Sequence, residues 1–514
     1  MLSADLIAIG GNVRVGDSAG SLASAFAVRD GKFVAVGADA EILPLAGPNT
    51  VRLDLTGKTV TPGFCDSHLH LAWFANDLTR TADLVGCRTV DEILMRLSEH
   101  ADRYDGPWIR GHGFDQDKMP QGAFPTRADL DRVSRARPIV ISRVCGHAAV
   151  ANSVAIERLT PEERDAGDTE TGLFTEGSIS AFYRRIPPLS EAEEEAAVLR
   201  AARLLLRTGI TSVGTLLDTP DQMGIYARLR RKGRLPLRVT GMPPYASIAG
   251  LHERGVNTTF GDEWLRFGGA KLFSDGSLGA RTALLSAPYS DIAGPPDGEA
   301  GIRIYDPEDL KAKTADAQRR GFQIVIHAIG DQAVRETVTA IEQALGPEGD
   351  NTWHRHRIEH VSLLPPDLLE RMAQRRILAV VQPQFVTSDT WTGERVGAAR
   401  HGWAYPFRSM LQAGIPLALS SDCPVEKPDA FACLTAAIFR HPWSSGERLT
   451  PEEALRAYCH GSHYALHQED RLGTIEAGKL ADFVVLPADP CRLTENELRS
   501  LSVDAVYVGG KRSD

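Results

Sequence analysis

Two histidines one residue apart close an apolar, β-prone run, Thr61-Pro-Gly-Phe-Cys-Asp-Ser-His-Leu-His70. In an extended strand alternate side chains share a face, so His68 and His70 aim at one point in space. Two imidazoles converging at a strand end can seed a transition-metal site. The plain alternative is a pair of partly exposed histidines. Further groups of ligand type recur downstream, each in or at the end of its own apolar run. Lys271 lies within Gly268-Gly-Ala-Lys-Leu-Phe-Ser-Asp-Gly-Ser-Leu-Gly279, on the same strand face as Phe273. An ammonium is costly to bury there. Either it pairs with a carboxylate such as Asp275, or its amine takes up CO2 and becomes an anionic carbamate able to bridge two metals. His327 ends Gln323-Ile-Val-Ile-His327, and His360 ends Arg357-Ile-Glu-His360. Each can serve as a neutral imidazole ligand, or as a capping or core histidine. Asp422 closes Ile415-Pro-Leu-Ala-Leu-Ser-Ser-Asp422. A carboxylate at the end of an apolar strand needs a partner, and a metal with its bound water is a good one.

The elements that must position these groups alternate between strand and helix patterns. Strands are expected at 209–217, 237–242, 265–273, 322–327, 355–360, 377–382 and 415–420, with amphipathic stretches such as 191–207 and 307–320 between them. With the strand that ends at His70 they make eight βα units, the pattern of an α/β, TIM-type (β/α)8 barrel over residues 60–464. The proposed ligands then fall at C-terminal strand ends, where such barrels place their chemistry. Residues 75–190 are rich in Pro, Gly and charge and too long for a βα loop, so they read as an insertion after the first barrel strand, covering the pocket. The run 24–37 reads as a hairpin turning at Asp30-Gly31, and the C-terminus adds strand-like Lys479–Leu486 and Val503–Lys511, the second with a Gly-Gly turn. Neither end has material for a stable β domain alone. Residues 1–59 and 465–514 are therefore expected to build one composite β-sandwich.

The 514 residues, 43% hydrophobic and 24% charged, suit a globular catalytic domain with additions. A net charge of -10 disfavours nucleic acid or an anionic membrane as partner. No apolar run is long enough to span a bilayer, and the start lacks the pattern of a signal peptide. The seven scattered cysteines form no Cys-x-x-Cys pair, which fits reduced thiols and a cytoplasmic location. Cys65 and Cys423 are expected to be small packing residues.

The order His-x-His, Lys, His, His, Asp resembles the amidohydrolase superfamily, in its form with two metals and a carboxylated lysine. The first-strand motif Thr61–His70 and the segment Arg471-Leu-Gly-Thr-Ile-Glu-Ala-Gly-Lys-Leu-Ala-Asp-Phe-Val-Val-Leu486 both carry the resemblance. Lys271-Leu-Phe-Ser-Asp-Gly-Ser-Leu-Gly279 and Arg143-Val-Cys-Gly-His-Ala-Ala-Val-Ala-Asn-Ser153 are similar to the branch that includes N-substituted formamide deformylases. The resemblance implies that His68, His70 and Asp422 hold the more buried metal, and His327 and His360 the second. Carboxylated Lys271 and a hydroxide would bridge them. Zinc is the default metal for such ligands; manganese, cobalt, nickel and iron suit the same shell. A homodimer is compatible with the resemblance.

The activity so implied is hydrolysis of a C–N bond in a small amide, N-formyl or N-acyl compound. The metals supply hydroxide at neutral pH, and Asp422 carries its proton to the departing nitrogen. His147, in Cys145-Gly-His147, is the candidate donor to the oxyanion, against a loop-structuring role. Weaker substrate candidates are Glu176, Asp275 and Arg281, each with a plain structural alternative. A second His-x-His, His354 and His356, falls at a strand start, away from the chemistry. Trp73, Phe114, Trp391, Trp403 and Tyr405 under a large insertion predict an apolar substrate. Three other readings stay open: the same hydroxide attacking a cyclic amide, carbamate, ester or lactone; ring deamination; and a non-catalytic metal- or ligand-binding barrel.

Overall fold

The computed structural model describes residues 3–292, 300–440 and 442–513. Its centre is built from two parallel sheets. One runs Leu265–Phe267, Arg238–Met242, Ile210–Leu216, Phe64–Leu69; the other runs Ala270–Phe273, Ile324–Ala328, Arg357–His360, Leu378–Val381, Leu417–Leu419. Strands such as Ile324–Ala328 and Leu378–Val381 read as short apolar runs because both their faces are covered. Helices such as Glu191–Arg207 and Asp331–Leu345 pack their apolar sides against them.

The expected single strand at 265–273 is two. Gly268 donates its N–H backward to Gly241 O at 2.8 Å, while Ala270 donates forward to Gln323 O at 2.8 Å. The glycine pair is where the chain passes from one sheet to the other. A Cβ on Gly268 would meet Thr240 Cγ2 at 2.9 Å, and one on Gly269 would meet Val325 Cγ2 at 2.6 Å. The Lys271 N–H then reaches Pro243 O at 2.9 Å, which ties the second sheet to the first. At the other edges Asp422 N donates to His68 O at 2.9 Å and His70 N to Cys423 O at 2.8 Å. The first and last parallel strands thus bring His68, His70 and Asp422 side by side.

The termini interleave in two further sheets. Lys32–Gly37, Ala25–Arg29, Ala4–Ile9 and Ala46–Asp54 form one. In the other, Phe483–Leu486 lies antiparallel to Thr59–Pro62, pairing Val485 with Val60, so strands from both ends share one sheet. Phe26, Phe33 and Phe483 fill the space between, with ring centroids 5.3 and 4.9 Å apart. The hairpin turns at Asp30 (φ 51°) and Gly31 (φ 75°), both left-handed as a tight hairpin turn requires. Arg238 in a central strand pairs with Asp482 at 2.7 Å and fastens this unit to the core; both side chains are buried.

The long stretch after the first parallel strand is an organised unit rather than loop fragments. Five strands, in the order Leu173–Thr175, Ala148–Ala151, Ile139–Arg143, Ile109–Phe114, Ala82–Asp83, form a mixed sheet. It has its own core of Ile93, Leu97, Ile109, Phe114, Ile139 and Ile141. The tight connection between Ile139–Arg143 and Ala148–Ala151 pushes Cys145, Gly146 and His147 against the central strands. Among the described residues no helix is long and apolar enough to cross a membrane. Cys65 and Cys423 are buried free thiols.

Candidate metal centre

Strand alternation places His68 and His70 on the face that looks into a cavity of about 480 Å3. His68 Nε2 lies 3.2 Å from Asp422 Oδ1, and His70 Nε2 lies 3.4 Å from the same oxygen. One ligand atom from each of these three residues falls within 4.8 Å of the others. Two more imidazoles extend the array: the His360 ring is 5.1 Å from His68, and His327 is 4.5 Å from His360. Three of these four rings have one nitrogen engaged from behind. His68 Nδ1 meets the Glu359 carboxylate, His360 Nδ1 meets Gln382 Oε1 at 2.8 Å, and His327 Nε2 meets Gly276 O at 2.8 Å. An acceptor behind one nitrogen fixes the proton there and leaves the other nitrogen's lone pair bare, which is the arrangement a metal ligand needs. His360 (φ 75°) and Asp422 (φ 57°) both hold left-handed backbone, uncommon for non-glycine residues and frequent at functional sites.

The electrostatics suit cations. Burial, with neighbouring His360 and Lys271, pushes His327 well below the usual histidine range, and burial takes His360 down to about 3. Both are neutral imidazoles. Burial would raise Asp422, yet His68 and His70 hold it well below the ordinary carboxylate range. Lys271 is buried, and its Nζ has no hydrogen-bond partner among the described residues. Burial lowers its pKa to about 8 despite the pull of Glu359 and Asp422.

A family model described as "Amidohydrolase family" matches residues 52–513. The chain is a member of the amidohydrolase family. It is 29% identical to the N-substituted formamide deformylase of Arthrobacter pascens, over 98% of this chain and 97% of that protein. It is 30% identical to the protein LONG AFTER FAR-RED 3 of Arabidopsis thaliana, over 99% of this chain and 91% of the other. Among solved structures it resembles an uncharacterized metal-dependent hydrolase from Pyrococcus furiosus, with TM-score 0.78 and 33% identity. That likeness covers 95% of this chain and all of the other.

Within this family member, Glu359 is the residue that reading strand ends alone passed over. It is fully buried between His68 and Arg357, whose Nε lies 2.7 Å from Glu359 Oε1. Burial works against its charge, but Arg357 and His68 hold it down to about 2. The available signal was Arg357 and Glu359 two apart in a short strand, opposite charges on one face beside a ligand histidine. Asp66 was also passed over; it accepts from Ser421 N at 3.1 Å and helps fasten the last strand to the first.

His147 reaches the cavity, its ring 5.5 Å from His327. Glu176 stands behind it rather than on the cavity wall, with Oε2 2.9 Å from His147 Nδ1. Burial disfavours the imidazolium, but the Glu176 carboxylate raises His147 to about 9. The Lys271–Asp275 pair, one of the two alternatives for this lysine, is not formed. Asp275 is spent on backbone N–H groups of Leu284 (2.9 Å), Ile329 (3.1 Å) and Gly330 (2.8 Å). It organises the loop under His327 and is off the cavity wall. Arg281 turns away and pairs with Asp291 at 2.7 Å. Of the five expected aromatics only Trp73 and Tyr405 line the cavity. Phe114 is consumed by the insertion's core, Trp391 lies under Arg395 at 3.7 Å, and Trp403 is off the wall. Phe273 and Phe385 line it instead. His356 serves structure: its Nδ1 accepts from Ile324 N at 3.0 Å at the start of its strand.

Proposed function

We propose that this protein hydrolyses a C–N bond of a small amide, N-formyl or N-acyl compound at a pair of divalent cations, by default zinc. In this reading the nine strands of the two parallel sheets, with Leu265–Phe267 and Ala270–Phe273 as two halves of one barrel strand, make a (β/α)8 barrel, with the composite sandwich and the insertion attached. His68, His70 and Asp422 would hold one cation and His327 and His360 the other, with Lys271, as its carbamate, a further ligand.

The observation that carries the reading is the Lys271 amine, buried and, among the described residues, with no hydrogen-bond partner, only the Phe273 ring 4.6 Å away, beside bare imidazole nitrogens and a carboxylate. A buried ammonium left unpaired is costly. With its pKa lowered, a useful fraction of the amine is neutral and can add to CO2. The N–C bond forms, one proton leaves, and the product is an anionic carbamate. That anion supplies what two cations among neutral imidazoles require. Bound cations would lower the pKa of a coordinated water and polarise the scissile carbonyl.

The protein's own groups then divide the proton work. Asp422, at the edge of the cavity beside His68 and His70, accepts a proton and passes it to the departing nitrogen, since an amide anion is a very poor leaving group. His147, kept protonated by Glu176, donates to the oxyanion. The formamide deformylase relative supports N-formyl compounds as the first class to screen.

Metal content per chain of wild type and Lys271→Ala, with turnover of an N-alkylformamide panel before and after chelation, tests the proposal. Near two equivalents in wild type, a sharp fall in Lys271→Ala and chelator-sensitive turnover are expected. One equivalent that survives loss of Lys271 would reduce the lysine to a structural role.

A further inference from the structure

The cavity has a second face that the hydrolytic groups do not use. Beyond Phe385, whose ring stacks 6.2 Å from His360, its wall is made by Gln384, Asp389 and Glu426. Two chain segments bring these acceptors together. The Ser388 hydroxyl bonds Glu426, which places that carboxylate beside the residue preceding Asp389. Gln384 Nε2 donates to Lys427 O at 3.1 Å, next to Glu426. The Gln384 amide is thereby oriented, and its Oε1 is a buried acceptor with no hydrogen-bond partner among the described residues; the side chain is 7% exposed.

Three of the cations of this region are engaged by other carboxylates. Arg143 holds Asp115 and Asp117 at 2.9 and 2.8 Å, Arg395 holds Asp117 at 2.5 Å, and Lys118 reaches Asp115 at 3.3 Å. Lys427 is exposed. Among the described residues neither Asp389 nor Glu426 has an ion-pair partner. Asp389 takes only the Tyr405 hydroxyl, at 2.9 Å. Burial raises Asp389 to about 7, against the Tyr405 hydroxyl and Arg143, and burial also raises Glu426. Two carboxyl groups and an orphan amide oxygen, near Phe385, form a stretch of wall rich in acceptors, with Lys118 and Lys427 at the same cavity. Such a wall is matched by a group that is donor-only and positively charged.

We propose that this wall is a specificity subsite for a protonated amine on the substrate, held by Glu426, Asp389 and Gln384 Oε1 while the scissile amide lies at the metal centre. The proposal rests on the hydrolase reading and replaces the uniformly apolar substrate expected from the aromatics. Phe385 and Phe273 would pack the alkyl link, and the ammonium would end against the acceptors. A methyl in its place would leave buried acceptors without donors, the situation in which polar sites discriminate strongly.

The test compares N-(3-aminopropyl)formamide, N-(3-hydroxypropyl)formamide and N-butylformamide, which differ only at the terminal group. Binding of n-butylammonium to the same holoenzyme is measured by calorimetry, independently of turnover. The aminopropyl compound is expected to exceed the butyl compound in kcat/KM by about tenfold or more. Glu426→Gln is expected to shrink that ratio and weaken n-butylammonium binding by a similar factor; Asp389→Asn does the same. Should one variant fail to fold, the other carries the comparison. Equal kcat/KM for amino and hydroxyl compounds would overturn the requirement for charge, and n-butylammonium binding unchanged in both variants would overturn the subsite. Variant-sensitive n-butylammonium binding without turnover of any formamide, or of the matching acetamides, would support the subsite and refute the hydrolysis reading.

Discussion

Glu359→Gln is the sharpest probe of how the metal centre is held. Glu359 has two tasks that its burial makes inseparable: it neutralises Arg357, fully buried and 2.7 Å away, and it backs the His68 imidazole. A carboxamide of the same shape has one acceptor where two donors converge, so either Arg357 or His68 faces an NH2 group. Stranding the guanidinium is expected to cost about 3–5 kcal/mol of stability, the usual penalty for breaking a buried pair from one side. Loss of the acceptor behind His68 should lower metal affinity about 10–100-fold, as for other partners behind ligand histidines. That corresponds to about 1.4–2.7 kcal/mol of binding. Urea unfolding and competition with a chromogenic chelator read the two effects separately. Adding Arg357→Met to Glu359→Gln removes the stranded charge, so stability should partly return while metal affinity stays low. Wild-type stability and affinity in Glu359→Gln would refute the reasoning; so would full recovery of metal affinity in the double variant. The pair also sets a pH window. Glu359 titrates near 2 instead of its ordinary 4.5, so its contribution is present above 4.5 and lost as pH falls through about 2.

Two further substitutions test the other side of the cavity. His147 stays protonated up to about 9 because of Glu176, so Glu176→Gln should move the alkaline limb of kcat/KM from near 9 toward the ordinary 6.5; a limb that does not move would remove His147 as the proton donor. Gly146 has φ 76°, and a Cβ there would meet Trp73 Cη2 at 2.8 Å. Gly146→Ala should therefore cost about 1–2 kcal/mol of stability from left-handed backbone alone. It should also displace Trp73, whose ring sits 5.3 Å from His70. Denaturant midpoints together with kcat/KM would show the two losses, and an unchanged midpoint would argue that the hairpin tip relaxes freely.

The ligand types could be read from the chain because each is local: one polar residue ends or interrupts one apolar strand, and strand alternation sets its direction. The same holds for the Asp30-Gly31 turn, whose left-handed pair is favoured by the residues themselves, and for the helices with an apolar stripe. Glu359 was harder, since Arg357-Ile-Glu359 looks like an ordinary charged strand until His68, nearly three hundred positions earlier, is packed against it. The aromatics failed for a related reason. Aromatic side chains satisfy any apolar surface, and proximity in sequence to a ligand does not say which surface is nearest; Phe114 went to the insertion's core while Phe273 and Phe385 took the cavity wall.

What the sequence alone determined, then, is a set of candidate ligands and the strands that carry them, because periodicity and burial cost act over a few residues. Only the tertiary structure decided which of those groups are left unpaired. That depends on long-range contacts: Asp275 is consumed by three backbone N–H groups, and Arg281 by Asp291. Among the described residues Lys271 Nζ and Gln384 Oε1 are left without a hydrogen-bond partner, in side chains that line the cavity.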